Sequence, residues 1–254
     1  MKRIFEWIGG FALIAFSFYF TDRVSLLVAT KSNLMEEILA VSSEYEIEAI
    51  DAVIDKDENT IIPGKFGRVV NSRESYLKMH EFGAFNENFL IYNYIKPKTS
   101  LSDNKDKYII SGNYSNRQVS IIIENNRDLI SYLNQSNLKY SIIASELSNV
   151  DEKNKYINGG DNSTSFYELD GHTSKICLKD YSYLKSCLKK EYYIVEPTII
   201  LSSSNVAEVK NHLSSGSIIL ITKTAKLEHI KLILNEIKYK DLELVYVEDL
   251  ISEK

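Results

Sequence analysis

Hydrophobic residues crowd the start of the chain and thereafter recur in short runs separated by polar stretches. From Ile4 to Phe20 the sequence is apolar except for Glu6, after a basic Lys2-Arg3 start and before Thr21-Asp22-Arg23. A basic terminus followed by an apolar block is an export pattern. Phe18, Tyr19 and Phe20 stand where a cleavage site would need small residues. The pattern therefore predicts an uncleaved signal anchor over residues 1–23, with Lys2 and Arg3 in the cytoplasm and everything after about Thr21 outside, on a single-pass protein of the cell membrane. The uninterrupted part, Trp7 to Phe20, is shorter than the roughly 20 residues that cross hydrocarbon comfortably, and a buried core helix is the alternative.

Beyond the anchor, Lys31 to Val41 has helical spacing and Glu46 to Ile54 alternates like a half-buried strand. A polar turn leads to a short strand at Thr60 to Ile62, and Pro63-Gly64 punctuates the chain. Asn71-Ser-Arg-Glu74 has capping-box form and predicts a helix to about Glu81, followed by a strand at Phe89 to Ile95. The polar stretch Lys96 to Lys107 ends this part, so residues 24–107 are expected to form a small α+β domain.

From Val119 the texture becomes strand-then-helix, which predicts an α/β domain over 108–254. Strands are expected at Val119–Ile123, Tyr140–Ala144, Ile176–Leu178, Tyr193–Val195, Ile199–Leu201, Ser217–Ile221 and Leu244–Val247. Helices are expected at Asn126–Leu133, Tyr181–Lys189, Asn205–Leu213 and Ala225–Tyr239, with Ser214-Ser215-Gly216 as a stop. The polar region Asn149 to Thr173 reads as a long loop.

Composition narrows the function classes. With 254 residues, 44% hydrophobic, and only 10 Gly and 3 Pro, the chain is folded rather than disordered or fibrous. Its net charge of −5, with both signs interspersed, gives no attraction for a phosphate backbone, so nucleic acid is not an expected partner. The two cysteines, Cys177 and Cys187, match no zinc or redox spacing. Both lie in apolar contexts where a free thiol serves as a small hydrophobe, and pairing in an oxidising space is the alternative. There is no G-x-S-x-G and no phosphate-binding glycine loop.

Leu213 to Thr222 (LSSGSIILIT), the helix after it, and Leu242 to Ile251 (LELVYVEDLI) resemble the closing segment of polysaccharide deacetylases with NodB homology. Val119 to Asn126 (VSIIIENN) is similar to that family's opening strand, so the likeness covers roughly the second half of the chain. The resemblance implies an α/β fold, a distorted (β/α) barrel with a divalent metal held by one Asp and two His at the C-terminal ends of its strands. It also implies an Asp base and a late His acid. On this alignment the Asp pair falls on Glu124 and Asn125, and the late His on Thr222. The ligand histidines fall within 156–165, which contains Asp161 but no histidine. The resemblance thus implies a degenerate site, no metal or other cofactor, and a protein that binds cell-wall glycan or an envelope partner. In that role Tyr156, Phe166 and Tyr167 are candidates for stacking on sugars. Two alternatives are an active esterase gathering Glu124, Asp161 or Asp170, and His172 around a divalent metal, and a structural subunit of an envelope complex. In the first half, Ile61 to Asn71 (IIPGKFGRVVN) resembles a stretch of peptidoglycan-binding modules on exported proteins; a glycine-supported turn before a capped helix is the alternative.

Overall fold

The computed structural model describes residues 10–20, 32–124, 126–143, 155–159, 168–169, 172–179 and 184–254. Helix α1 (10–20) and α2 (Asn33–Tyr45) come first. They are followed by β1 (Val53–Asp55), β2 (Thr60–Ile62), β3 (Gly67–Val70), α3 (Ser72–Met79), β4 (Tyr92–Ile95) and β5 (Tyr108–Ile109). Next come β6 (Gln118–Ile123), α4 (Arg127–Gln135), β7 (Ser141–Ile143), β8 (Lys155–Ile157), β9 (Glu168–Leu169), β10 (His172–Thr173) and β11 (Ile176–Leu178). The chain closes with α5 (Leu184–Lys189), β12 (Tyr193–Val195), β13 (Ile199–Leu201), α6 (Val206–His212), β14 (Ile218–Ile221), α7 (Leu227–Tyr239), β15 (Glu243–Val245) and α8 (Val247–Leu250). Among the described residues no helix is long and apolar enough to cross a membrane. Helix α1 is the described part of the apolar block read as an anchor; the rest of that block lies outside the described residues.

The chain divides into two compact units, residues 1–49 with 66–95, and residues 50–65 with 96–254. This division does not coincide with a single cut near Tyr108. Strand β2 runs parallel to β5, pairing Thr60 with Tyr108 and Ile61 with Ile109, and β1 pairs antiparallel with β2. The β1–β2 hairpin therefore belongs to the larger unit. In the smaller unit, Ser32 and Asn71 cap α2 and α3 by accepting from the N–H groups of Met35 and Glu74. Ile38, Val70, Met79 and Leu90 form its core. The β3–β4 pair is a strand pair that the turn-like reading of Ile61 to Asn71 misses. A Cβ on Gly67 would stand 2.7 Å from the Ile47 carbonyl oxygen, so this glycine permits the close backbone approach at the Ile47–Arg68 bridge.

The larger unit is built on a run of seven parallel strands in the order β12, β11, β8, β7, β6, β14, β13. Its one weak join, between β8 and β11, is the bridge Asn158–Cys177. On the far side of β12 the run continues into β5, β2 and β1. Among the described residues no ladder joins β12 to β13, so the barrel expected from the resemblance is open at that seam.

Alternation along the strands sorts side chains into two layers. Val119, Ile121 and Ile123 of β6 face outward onto Leu129, Leu133, Ile230 and Ile233 of the helices. Ile122 faces inward onto Ile143, Ile157, Leu178, Val195 and Ile218. Val247, Leu250 and Ile251, in and beside α8, join this inner cluster. A buried carboxylate fastens the same end of the unit: one oxygen of Glu253 accepts from the N–H groups of Gly64, at 3.0 Å, and Leu101, at 2.8 Å.

Cys177 on β11 and Cys187 on α5 form a disulfide, with Cα atoms 6.5 Å apart. This corrects the reading of both as free thiols. Their apolar surroundings are real, since both are buried with Ile194, but the burial is that of a bonded pair. The bond ties a strand to the helix that follows it, and such bonds persist in oxidising compartments.

Candidate functional site

The inward face of β6 ends at Glu124 and that of the neighbouring β14 ends at Thr222. The two strands are in register, with Ile122 opposite Leu220 and Ile123 opposite Ile221. Inward positions alternate, so after Ile122 and Leu220 the next inward residues are Glu124 and Thr222. Both sit at the C-terminal ends of the strands, above a floor formed by Ile122, Ile143, Ile157, Leu178 and Leu220. This is where barrel enzymes place their chemistry.

The hydrogen bonds at this mouth are local. The Glu124 N–H donates to the Ile221 carbonyl at 3.0 Å, and one Glu124 carboxylate oxygen accepts from the Lys223 N–H at 2.8 Å. The Thr222 hydroxyl donates to the Leu201 carbonyl at 3.1 Å and lies 2.9 Å from the Thr224 hydroxyl. One candidate carboxylate thus ties a loop to a strand end, and the residue aligned with the late histidine is engaged with backbone.

At the end of β8, where the resemblance places the ligand histidines, the residue that stands out is Asn158. It is buried, and its side-chain N–H groups donate to the carbonyls of Ser174, at 2.7 Å, and Ile176, at 3.0 Å. Its own N–H donates to Ile176 and its carbonyl accepts from Leu178. Asn158 therefore holds β8 beside β11. Nothing in the sequence pattern marked it, because its partners lie 16 to 18 residues away. A second unforeseen feature closes the ends of β11 and β12: Lys179 and Glu196 pair at 2.7 Å, with the Lys179 ammonium 4.4 Å from the centre of the Tyr108 ring.

Of the sequence-derived candidates, the structure brings together Glu124 and Thr222. Tyr156 lies on β8 with its ring against the outer core beside the helices. Tyr156 thus stands on a strand rather than in the long loop expected over Asn149 to Thr173, and strand parity gives the inward place to Ile157. Asn125, Asp161, Asp170, Phe166 and Tyr167 lie outside the described residues, as does the side chain of His172. The other three histidines belong to helices. His80 follows α3, His212 ends α6 with Nδ1 2.9 Å from the Glu208 carbonyl oxygen, and His229 lies in the first turn of α7.

Of the positions at which the resemblance implies a divalent metal, the structure describes only part, since Asn125 and residues 160–165 lie outside the described residues. Among the described residues no three His, Cys, Asp or Glu side chains are grouped to hold an ion. Glu124 is bonded to Lys223, Thr222 is a weak donor for a metal, and the Asn158 amide is directed at carbonyls. Among the described residues the mouth offers hydrogen-bonding groups, Glu124 and Thr222, each engaged with backbone.

No family model matches the chain. The uncharacterised protein YlxY of Bacillus subtilis (strain 168) is 37% identical over 97 residues, 38% of this chain and 30% of that protein, so the match spans less than a third of the relative's length. Among solved structures, wild-type BA3943 of Bacillus anthracis, a CE4 family pseudoenzyme, aligns with a TM-score of 0.58 at 18% identity over 88% of this chain and 96% of that chain. A BA3943 mutant aligns with a TM-score of 0.60 at 18% identity over 88% of this chain and 99% of that one. A second BA3943 mutant, described as having restored enzymatic activity, aligns at 0.59. The chain has this mixed α/β fold.

Proposed function

We propose that this is a membrane-anchored, extracytoplasmic protein that uses a deacetylase fold to bind cell-wall glycan without hydrolysing it. The observation that carries the reading is the state of the mouth: Glu124 and Thr222 occupy the strand ends where the resemblance places a deacetylase's base and acid, and both are engaged in local backbone bonds. The likeness to a CE4 pseudoenzyme supports it. The Cys177–Cys187 disulfide supports an oxidising compartment. Helix α1 supports anchoring: Phe11, Leu13, Ile14, Phe16, Phe18, Tyr19 and Phe20 are each more than half exposed, and a helix apolar on every side belongs in an apolar medium.

Cosedimentation tests the binding half. Oxidised residues 24–254 mixed with insoluble peptidoglycan are expected to leave the supernatant with the wall and to be released by excess soluble wall fragments. Protein that stays in the supernatant at every wall concentration would overturn glycan binding, while leaving the absence of hydrolysis to be tested separately.

A further inference from the structure

At the opposite end of the larger unit from Glu124, a cleft of about 470 Å3 opens at the N-terminal ends of the strands. Gln118, the first residue of β6, lies in its wall, six residues or about 20 Å along the strand from Glu124. Three segments meet here: the turn ending at Lys65, the turn Tyr114–Asn116, and the stretch from Asp249 to Lys254.

Buried polar groups hold these segments in place. The Asn113 side chain donates to the Pro63 carbonyl at 3.1 Å and accepts from both the N–H and the hydroxyl of Ser115. Glu253 ties the last segment to Gly64. Within the cleft the Lys65 ammonium donates to the Asn116 side-chain oxygen at 2.8 Å, which orients that carboxamide and leaves its N–H groups as the donors. Such bonding preorganises a site rather than leaving it to be ordered on binding.

The lining chemistry is selective. The walls carry hydroxyl and carboxamide groups from Ser115, Asn116 and Gln118, the complement of a polyhydroxylated ligand. Lys65 and Lys254 supply two ammonium groups, and the Asp249 carboxylate of the lining lies 3.6 Å from Lys155, on a protein whose net charge is −5. The turn that carries Ser115 and Asn116 is held from its other side, where the Tyr114 carbonyl accepts from the Ser215 hydroxyl at 2.7 Å. The volume falls in the range of small-ligand sites.

We infer that this cleft binds an acidic saccharide, its anionic group met by the Lys65 and Lys254 ammonium groups and its hydroxyls by Asn116, Gln118 and Ser115. The inference goes beyond the wall-binding reading, because it uses no residue of the mouth and names the ligand by the chemistry of the cleft alone.

Glucuronate, glucose 6-phosphate and glucose are probes that share a ring and differ in charge. In NMR titrations of the oxidised protein, at least one acidic probe is expected to shift cleft resonances and to bind at least tenfold more tightly than glucose. Preference for glucuronate assigns a sugar acid, and preference for glucose 6-phosphate a sugar phosphate. Lys65→Glu is expected to abolish acidic-probe binding without changing the circular dichroism spectrum, and Lys65→Gln, which keeps a hydrogen-bonding group, to weaken it at least tenfold if the first variant does not fold. Equal binding of glucose, binding untouched by the Lys65 substitution, or no binding by any probe would each overturn the inference.

Discussion

Replacing Gly216 with alanine is expected to destabilise the larger unit by about 3 kcal/mol, a sizeable fraction of the stability of a typical domain. Two independent costs fall on this position. Its φ of +84° lies in the left-handed region that an L side chain adopts only with strain. An added Cβ would also stand 2.5 Å from the Gly112 carbonyl oxygen, a backbone atom that cannot swing aside. The residue is locked from both directions as well. Its N–H donates to Gln118 at 2.7 Å, while its carbonyl accepts from the Gly112 N–H at 2.8 Å and from the Ser111 hydroxyl at 3.0 Å. Shifting the backbone to relieve the clash would break these bonds at the start of β6 and β14. Urea unfolding of the Gly216→Ala variant measures the effect, and a loss below about 0.5 kcal/mol, the range of a neutral surface substitution, would contradict this account of the turn.

Opening the disulfide is expected to cost about 3 kcal/mol, the loop-closure entropy of a short cross-linked segment. The bond joins residues ten apart, Cys177 in the middle of β11 and Cys187 in α5. Both sulfurs are buried, so the reduced form would leave two thiols in the space of one bond. The double variant Cys177→Ser, Cys187→Ser should match the reduced protein or fall below it, because serine adds two buried hydroxyls. Urea midpoints with and without reductant measure this. Indistinguishable midpoints, together with a free-thiol assay showing two reactive groups before reduction, would sink the disulfide and with it one support for an oxidising compartment.

What was legible in the sequence follows physical lines. The strands at Thr60–Ile62, Ile176–Leu178, Tyr193–Val195 and Ile199–Leu201 lie where the sequence places them, because each is a short, largely apolar run bounded by polar or turn residues. Asn71 announced its helix by capping chemistry. Glu124 and Thr222 were placed in one site by the deacetylase resemblance alone, and register brings them to adjacent strand ends.

Other features were hidden because their causes are non-local. β8 contributes one fully buried side chain, Ile157, within a polar stretch, too little apolar signal to mark a strand. β3 pairs with β4 some 25 residues away, and its one glycine, Gly67, admits a neighbouring backbone. The apolar neighbours of Cys177 and Cys187 suit a buried thiol and a buried disulfide equally well, and only the strand-to-helix geometry separates the two. The division of the chain depends on a parallel pairing between Thr60 and Tyr108 that no local pattern encodes.

The most direct test of the mouth is deacetylation of chito-oligosaccharide by oxidised residues 24–254, assayed with Zn2+, Co2+ and Mn2+ in turn. With Glu124 bonded to the Lys223 N–H and Thr222 to Leu201, acetate release is expected to equal that of protein-free controls with every metal. Turnover above those controls that disappears in Glu124→Ala would contradict the reading of this fold as a non-hydrolytic binder.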